Sequence, residues 1–365
     1  MTAARVFFST SGPRLLIYRD ANYKIHNCVA LFATKLALHF AYEVKKVRMC
    51  PMPKVLCIGE TMVQVTPRHG GRISAMTDFR LVAGGAESNV AAMLSKLGID
   101  AAWLGAIGGD PFGDIVLDAL RADGVNTDFV RVQPAEKTAV YFKDVTEHST
   151  QVFYYRESSA MSRSGPELLS EVGGQTWDVV HMSGITPALS ESCKKLTLEA
   201  LTGTAIASSL KSFDINYRPS LWPASNAPDV LREIANRCDV VFVGLDEAAA
   251  LWAVDSVHDV RAILPEPTYV VVKDSEHAAT ELNVKETCAE PAIAVDIVEK
   301  VGAGDAFAAG WLAGYLRGEQ TSSRLKMGHL MAAEVLQSHT DTASPPDPEI
   351  VEQTLRPTTP SLGHS

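Results

Sequence analysis

The stretch Val301-Gly302-Ala303-Gly304-Asp305-Ala306-Phe307-Ala308-Ala309-Gly310-Trp311 decides how the rest of this chain is read. Gly302 and Gly304 permit a tight turn and leave backbone N–H groups bare where a run of small and apolar residues begins. A helix N-terminus presents unpaired donors and the positive end of the helix dipole, so it attracts phosphate. Ala306, Ala308, Ala309, Gly310, Ala313 and Gly314 keep the helix slim, which lets it pack closely and bring its N-terminus up to a sheet. Asp305 has two open readings: it caps the helix, or it acts as a base beside the anion site.

Upstream, short apolar runs alternate with helical patterns. Val55-Leu56-Cys57-Ile58-Gly59 reads as a buried first strand. The small and apolar run after Glu87 predicts a helix closed by Gly98, and residues 111–123 predict another with Gly124 beyond its end. Strands are expected over 101–107, 179–181, 212–215, 240–243 and 269–272, separated by helices as in βαβ units. The final strong helix is expected from Asp305 to about Leu316. Residues 138–156 differ: Ala139-Val140-Tyr141-Phe142 and Val152-Phe153-Tyr154-Tyr155 flank a polar turn and read as a hairpin. The expected fold is α/β, a doubly wound, mostly parallel sheet with helices on both faces. A small β element comes from residues 60–82 and 138–156. Ligands of such sheets bind beyond the carboxyl ends of the strands.

Three further motifs are expected at that end. Gly84-Gly85-Ala86-Glu87-Ser88-Asn89 leaves room for a ligand to approach the backbone, and Asn89 both donates and accepts hydrogen bonds; a plain turn before a helix explains it equally well. Asp214-Ile215-Asn216-Tyr217-Arg218-Pro219 follows a strand, so Arg218 either forks onto a carboxylate or phosphate or pairs with Asp214. In the hairpin, Tyr154 and Arg156 are two residues apart and face one side, where Tyr141 of the partner strand can join them. A cation and two phenols suit a polyhydroxy acid, although strand-surface decoration accounts for them as well.

Composition narrows the class. The formal net charge of -10 opposes a general nucleic-acid or anionic-membrane binder. Cys28, Cys50, Cys57, Cys193, Cys238 and Cys288 form no CxxC pair and no zinc spacing, which fits reduced thiols in a cytoplasmic protein. Residues 1–51 are basic and poor in acids, as a transit peptide would be. The reading preferred here is a basic extension outside the fold, because Met52-Pro53-Lys54 opens a clean strand. The domain is expected over 52–356 and a loose tail over 357–365.

Taken together, G-G-A-E-S-N, the glycine-rich segment from Gly105 to Gly113, D-I-N-Y-R-P-S-L-W and V-G-A-G-D-A-F-A-A-G resemble the ribokinase-like (PfkB) carbohydrate kinases over about residues 54 to 345. The similarity is greatest to the 2-keto-3-deoxygluconate kinase branch. The resemblance implies an αβα sandwich with a β lid, through which a homodimer can form. It implies ATP as donor, Mg2+ entering with it, and Asp305 as the base that deprotonates the attacking sugar hydroxyl. Gly302, Ala303 and Gly304 would form the anion hole. Gly84, Gly85, Asn89, Tyr141, Tyr154, Arg156 and Arg218 would hold the sugar or sugar acid, with Arg156 or Arg218 meeting its carboxylate. Lys273 and Ser275, with Gly302 and Gly304, would contact the nucleotide, and Glu247 would serve the metal indirectly.

Three positions depart from the family pattern. Gly244-Leu245-Asp246-Glu247 keeps the glutamate of N-x-x-E and lacks the asparagine. The nucleotide loop Lys273-Asp274-Ser275-Glu276-His277-Ala278 has no glycine, and Glu299-Lys300 replaces the usual Asp-Thr. A kinase for fructose or another ketose would use the same Asp305. A sugar-binding pseudokinase is the reading that the altered loop favours and Asp305 opposes. A dinucleotide enzyme is excluded, since no GxGxxG follows the first strand.

Overall fold

The computed structural model describes residues 52–355, apart from 70, 75, 146–149 and 223–225. The expectations for the basic extension and for the tail lie outside the described residues. In chain order the first elements are β1 (Lys54–Ile58), β2 (Met62–Pro67), β3 (Phe79–Gly84), α1 (Ala86–Lys96), β4 (Asp100–Leu104), β5 (Ala106–Gly108), α2 (Pro111–Ala122) and β6 (Arg131–Gln133). Then come β7 (Val140–Val145), β8 (Thr150–Tyr155), β9 (Thr176–Ser183), α3 (Thr186–Leu189), α4 (Glu191–Thr202), β10 (Ala207–Asp214), α5 (Ala227–Ala235) and β11 (Val240–Gly244). The last are α6 (Leu245–Trp252), α7 (Val257–Ile263), β12 (Tyr269–Asp274), β13 (Ala278–Asn283), β14 (Thr287–Pro291), α8 (Ala303–Leu316), α9 (Thr321–Leu336) and α10 (Pro348–Leu355).

The central sheet has the order β14-β13-β12-β11-β10-β9-β1-β4. From β4 to β12 every pairing is parallel, and β13 and β14 close one edge antiparallel. Parallel strands covered on both faces must be apolar on both faces. In β1, Leu56 and Ile58 enter one core with Met182, Phe213 and Val241, while Val55 and Cys57 enter the other with Phe242, Val271 and Trp311. The chain runs from β1 outward to β4 and returns to β9 on the other side of β1. That reversal leaves a crevice at the strand carboxyl ends, where doubly wound folds bind ligands. A second sheet, β3-β2-β7-β8, stands at this end as a lid.

Several expectations are corrected. The strand expected over 101–107 is two strands broken at Gly105, where a Cβ would fall 2.2 Å from the Trp103 ring; β5 pairs with β6 in a separate ribbon. The helix ending at Leu316 is followed by the longer α9, whose apolar periodicity is weak because Arg324 and His329 are buried in it. The β13–β14 edge has little β-branched content; buried Glu281 in β13 is held by Arg324 and by the Trp311 indole N–H (2.9 Å). No described helix is long and apolar enough to cross a membrane. The described cysteines Cys57, Cys193, Cys238 and Cys288 are unpaired.

Candidate active site

A cavity of about 970 Å³ runs from beneath the lid, past the N-terminus of α8, to the face of α9. At its centre stands Asp305. Gly302 is the N-cap of α8 with φ 90, a conformation that glycine adopts without penalty. Its bare Cα is also required, since a Cβ would lie 2.3 Å from the Asp341 carbonyl oxygen. Farther along, Gly310 lies where a Cβ would be 2.4 Å from the Met327 carbonyl, so α9 packs directly on the helix that carries Asp305.

Asp305 makes no capping bond. Its carboxylate accepts from the Asn89 side-chain amide (2.8 Å) and from that of Asn216 (3.4 Å). Burial pushes its pKa up to about 7; the Asn89 bond opposes the rise, Asp214 adds to it, and Arg218 and Lys273 oppose it. A carboxyl near neutrality, aimed into a cleft, is poised to take a proton from a hydroxyl. Asn89 is delivered by α1, whose Glu87 is buried and accepts from the Ser183 amide (3.0 Å) and the Thr186 hydroxyl (2.9 Å). Gly59 carries no side chain, which leaves the space that this carboxyl fills.

Beside the start of α8, Lys273 pairs with Asp214 at 2.8 Å and its ammonium lies next to Gly304. Burial works against its charge, but Asp214, Glu247 and Asp305 together raise its pKa. The positive end of α8 and this ammonium therefore converge on one spot, which can hold an anion. Ala303 is the first helical residue there. Ser275 meets the tight β12–β13 turn with φ 43, doing without the glycine, and lines the same cavity. Glu247 accepts from the Tyr217 amide (3.0 Å) and the Gly244 amide (2.8 Å). Burial and Asp214 raise its pKa against Lys273, the Gly244 amide and Arg218.

On the lid side, Tyr141 and Tyr154 face each other across β7 and β8 with ring centroids 5.8 Å apart, and the Arg156 guanidinium lies 5.5 Å from the Tyr154 ring. Gly84 and Gly85 lie against the Tyr141 hydroxyl and the Glu60 carbonyl. Arg156 is not a free cation: Glu60 holds it at 2.6 Å and also accepts from Ser159. The ion pair between Arg218 and Asp214, one of the two readings above, does not form. Arg218, half exposed, is 3.6 Å from Glu247 instead.

All the residues expected at the site line this one cavity. Glu60, Lys143, Asp214, Asn216 and Asp341 line it too and were not singled out as site residues from sequence. Asn216, with φ 38 and a side-chain oxygen without a partner, sits inside a motif already quoted. Lys143 was detectable as the residue two beyond Tyr141. Nothing near Glu60 or Asp341 in sequence marks them.

The pfkB family carbohydrate kinase pattern matches residues 52–348. A 2-dehydro-3-deoxygalactonokinase of Haloferax volcanii is 31% identical over 83% of this chain and 96% of its own length. A fructokinase of Klebsiella pneumoniae is also 31% identical, over 72% of this chain and 84% of its own. The crystal structure of a 2-dehydro-3-deoxygluconokinase from Thermotoga maritima superimposes with a TM-score of 0.74 at 24% identity, covering 84% of this chain and 98% of that one.

Proposed function

For this chain, which belongs to the pfkB family of carbohydrate kinases, we propose that the sugar it phosphorylates is an acid of the 2-dehydro-3-deoxyaldonate type. 2-Dehydro-3-deoxygluconate (2-keto-3-deoxygluconate) would then become its 6-phosphate at the expense of ATP. The observation that carries the reading is Asp305, buried at the start of α8 with its pKa at about 7 and flanked by an anion-attracting turn and Lys273. Asp305 takes the proton of the attacking hydroxyl. The amides of Gly302 to Gly304 and the Lys273 ammonium offset the charge on the transferring phosphoryl group, a catalysis of position and electrostatics.

Counting charges under the lid supports the acid substrate. Arg156 is neutralised by Glu60 and Lys143 by Asp341. Arg218 lies 3.6 Å from Glu247, donates to the Tyr217 carbonyl (3.1 Å) and is half exposed, which leaves it able to meet a sugar carboxylate. Tyr154, Tyr141 and Asn89 would meet the hydroxyls. No cluster of three or more described His, Cys, Asp or Glu side chains can hold a metal. Both Glu247 oxygens accept backbone N–H groups. Mg2+ would therefore arrive on the phosphates and reach Glu247 through water, where its charge would offset that of the phosphates. Leu81, Phe153 and Tyr155 are exposed on the lid and would support a homodimer; sedimentation at two concentrations tests it.

Lid closure over the sugar keeps water from the phosphoryl group. A coupled ADP-release assay with Mg2+, ATP and 2-dehydro-3-deoxygluconate, gluconate, fructose or ribose tests the function. Release with the dehydro-deoxy acid supports the proposal. Release with fructose or ribose alone keeps the kinase and removes the acid. Sugar binding without release would favour a pseudokinase.

A further inference from the structure

Lys143 is an ammonium on the lid whose side chain is only 2% exposed. It lies two residues beyond Tyr141 on β7, so both side chains face the same way. Both reach one residue about 200 positions downstream: the Lys143 ammonium donates to Asp341 Oδ1 (2.9 Å) and the Tyr141 hydroxyl to Asp341 Oδ2 (3.0 Å). The carbonyl of Asp341 backs the anion-hole turn, at the spot that a Cβ on Gly302 would occupy. A second arm runs through Glu299: Lys143 is 3.6 Å from its Oε2, while its Oε1 accepts from the amides of Lys300 (3.0 Å) and Val301 (3.3 Å). Lys143 thus touches two carboxylates, each tied to the turn that begins at Gly302.

From this we infer that Asp341 is a positioning residue, with Lys143 as its counter-ion, and that the pair holds the sugar-bearing lid and the anion-hole turn in one register. The inference rests on the reading of Gly302 to Asp305 as the phosphoryl site. A buried ion pair is costly to form and more costly to half-break, because the partner left behind stays desolvated and uncompensated. While the pair is buried, the lid cannot slide without stranding Lys143, and Asp341 cannot shift without moving its carbonyl away from Gly302; opening the lid has to separate the pair. Tyr141 at one end of the cavity and the anion hole at the other therefore move together, and a sugar hydroxyl under the lid stays aligned with the phosphoryl group.

Asp341→Asn and Lys143→Met test this, alone and combined. In intact protein without substrates, amide hydrogen exchange is expected to speed up about tenfold in each single variant, both over 140–145 and over 300–305. Acceleration confined to one of the two segments, or to neither, overturns the inference. With sugar and ATP, the single variants should release more ADP than sugar phosphate, because a misaligned hydroxyl lets water compete. A general weakening of the fold would lower both products equally, and that result also counts against the pair. The double variant should lose less than the product of the two single losses; losses that simply multiply overturn the coupling. If Asp341→Asn does not fold, Lys143→Met carries the same comparisons, with Lys143→Arg expected to restore both readouts. A wild-type protein that phosphorylates no sugar would sink the proposed function, and the exchange data would still decide the inference.

Discussion

The two ends of the cavity are built in different ways. At the phosphate end the backbone amides and the carboxyl come from four consecutive residues, Gly302 to Asp305, held at the start of a buried helix. At the sugar end the side chains come from β7, β8, the loop after β1 and the segment after α9, and they are joined by buried ion pairs between Arg156 and Glu60 and between Lys143 and Asp341. A helix terminus is preorganised by its own hydrogen bonds and needs little tertiary help to attract an anion. A lid of distant strands has to be assembled, and its charges are tolerated only because each is paired. On the proposed function, phosphoryl transfer sits on the first kind of structure and sugar recognition on the second.

The largest effect should come from the phosphate end. Asp305→Asn is expected to lower kcat by about 10²–10⁴ with the sugar KM nearly unchanged; near-normal turnover would remove Asp305 from the role of base. At the sugar end, Arg218→Gln should raise the KM for the sugar acid about tenfold, the size of one charge-assisted hydrogen bond. Turnover of a neutral ketose should be left alone, and equal losses on both substrates would mean that Arg218 does not read the carboxylate. The backbone is tested by Gly302→Ala, where the left-handed φ costs roughly 1–2 kcal/mol and the new methyl would also fall 2.3 Å from the Asp341 carbonyl oxygen. That variant should melt below Gly304→Ala, whose new methyl meets only the movable end of Lys273 at 3.3 Å. The reverse order would show that the turn is less constrained than its geometry indicates.

The mildest test is pH. As Asp305 ionises, kcat/KM should climb through about pH 7. Its folded pKa lies above its unfolded one, so between the two values only the folded state holds the proton. The contribution of Asp305 to stability is thus full at low pH and declines as pH rises toward about 7. Asp305→Asn should therefore gain in melting temperature over the wild type across that window and show no gain below about pH 4. A gain that does not change with pH would mean that the carboxyl titrates in its ordinary range.

The phosphate end was legible because it is local. Glycine spacing, the slim helix and the position of Asp305 are all visible in one stretch of eleven residues. The parallel strands were legible as short apolar runs, and the hairpin as an aromatic, alternating pair. Outside that pattern the reading thinned. The β13–β14 edge and α9 bury Glu281, Arg324 and His329, and so break the periodicities by which strands and helices are recognised. Arg156 and Arg218 were visible as cations, but their state was not, since Glu60 is 96 positions from Arg156 and an ion pair leaves no trace in spacing.

From the sequence by itself came the family fold, the glycine turn at Gly302 to Gly304 and the aspartate that follows it, because backbone conformation and helix polarity are written in neighbouring residues. Tertiary structure alone decided how each cation is paired, Arg156 with Glu60 and Arg218 with Glu247. It also brought a lid lysine to Asp341, and through it to the back of Gly302, because charge neutralisation depends on distance in space, whatever the separation along the chain.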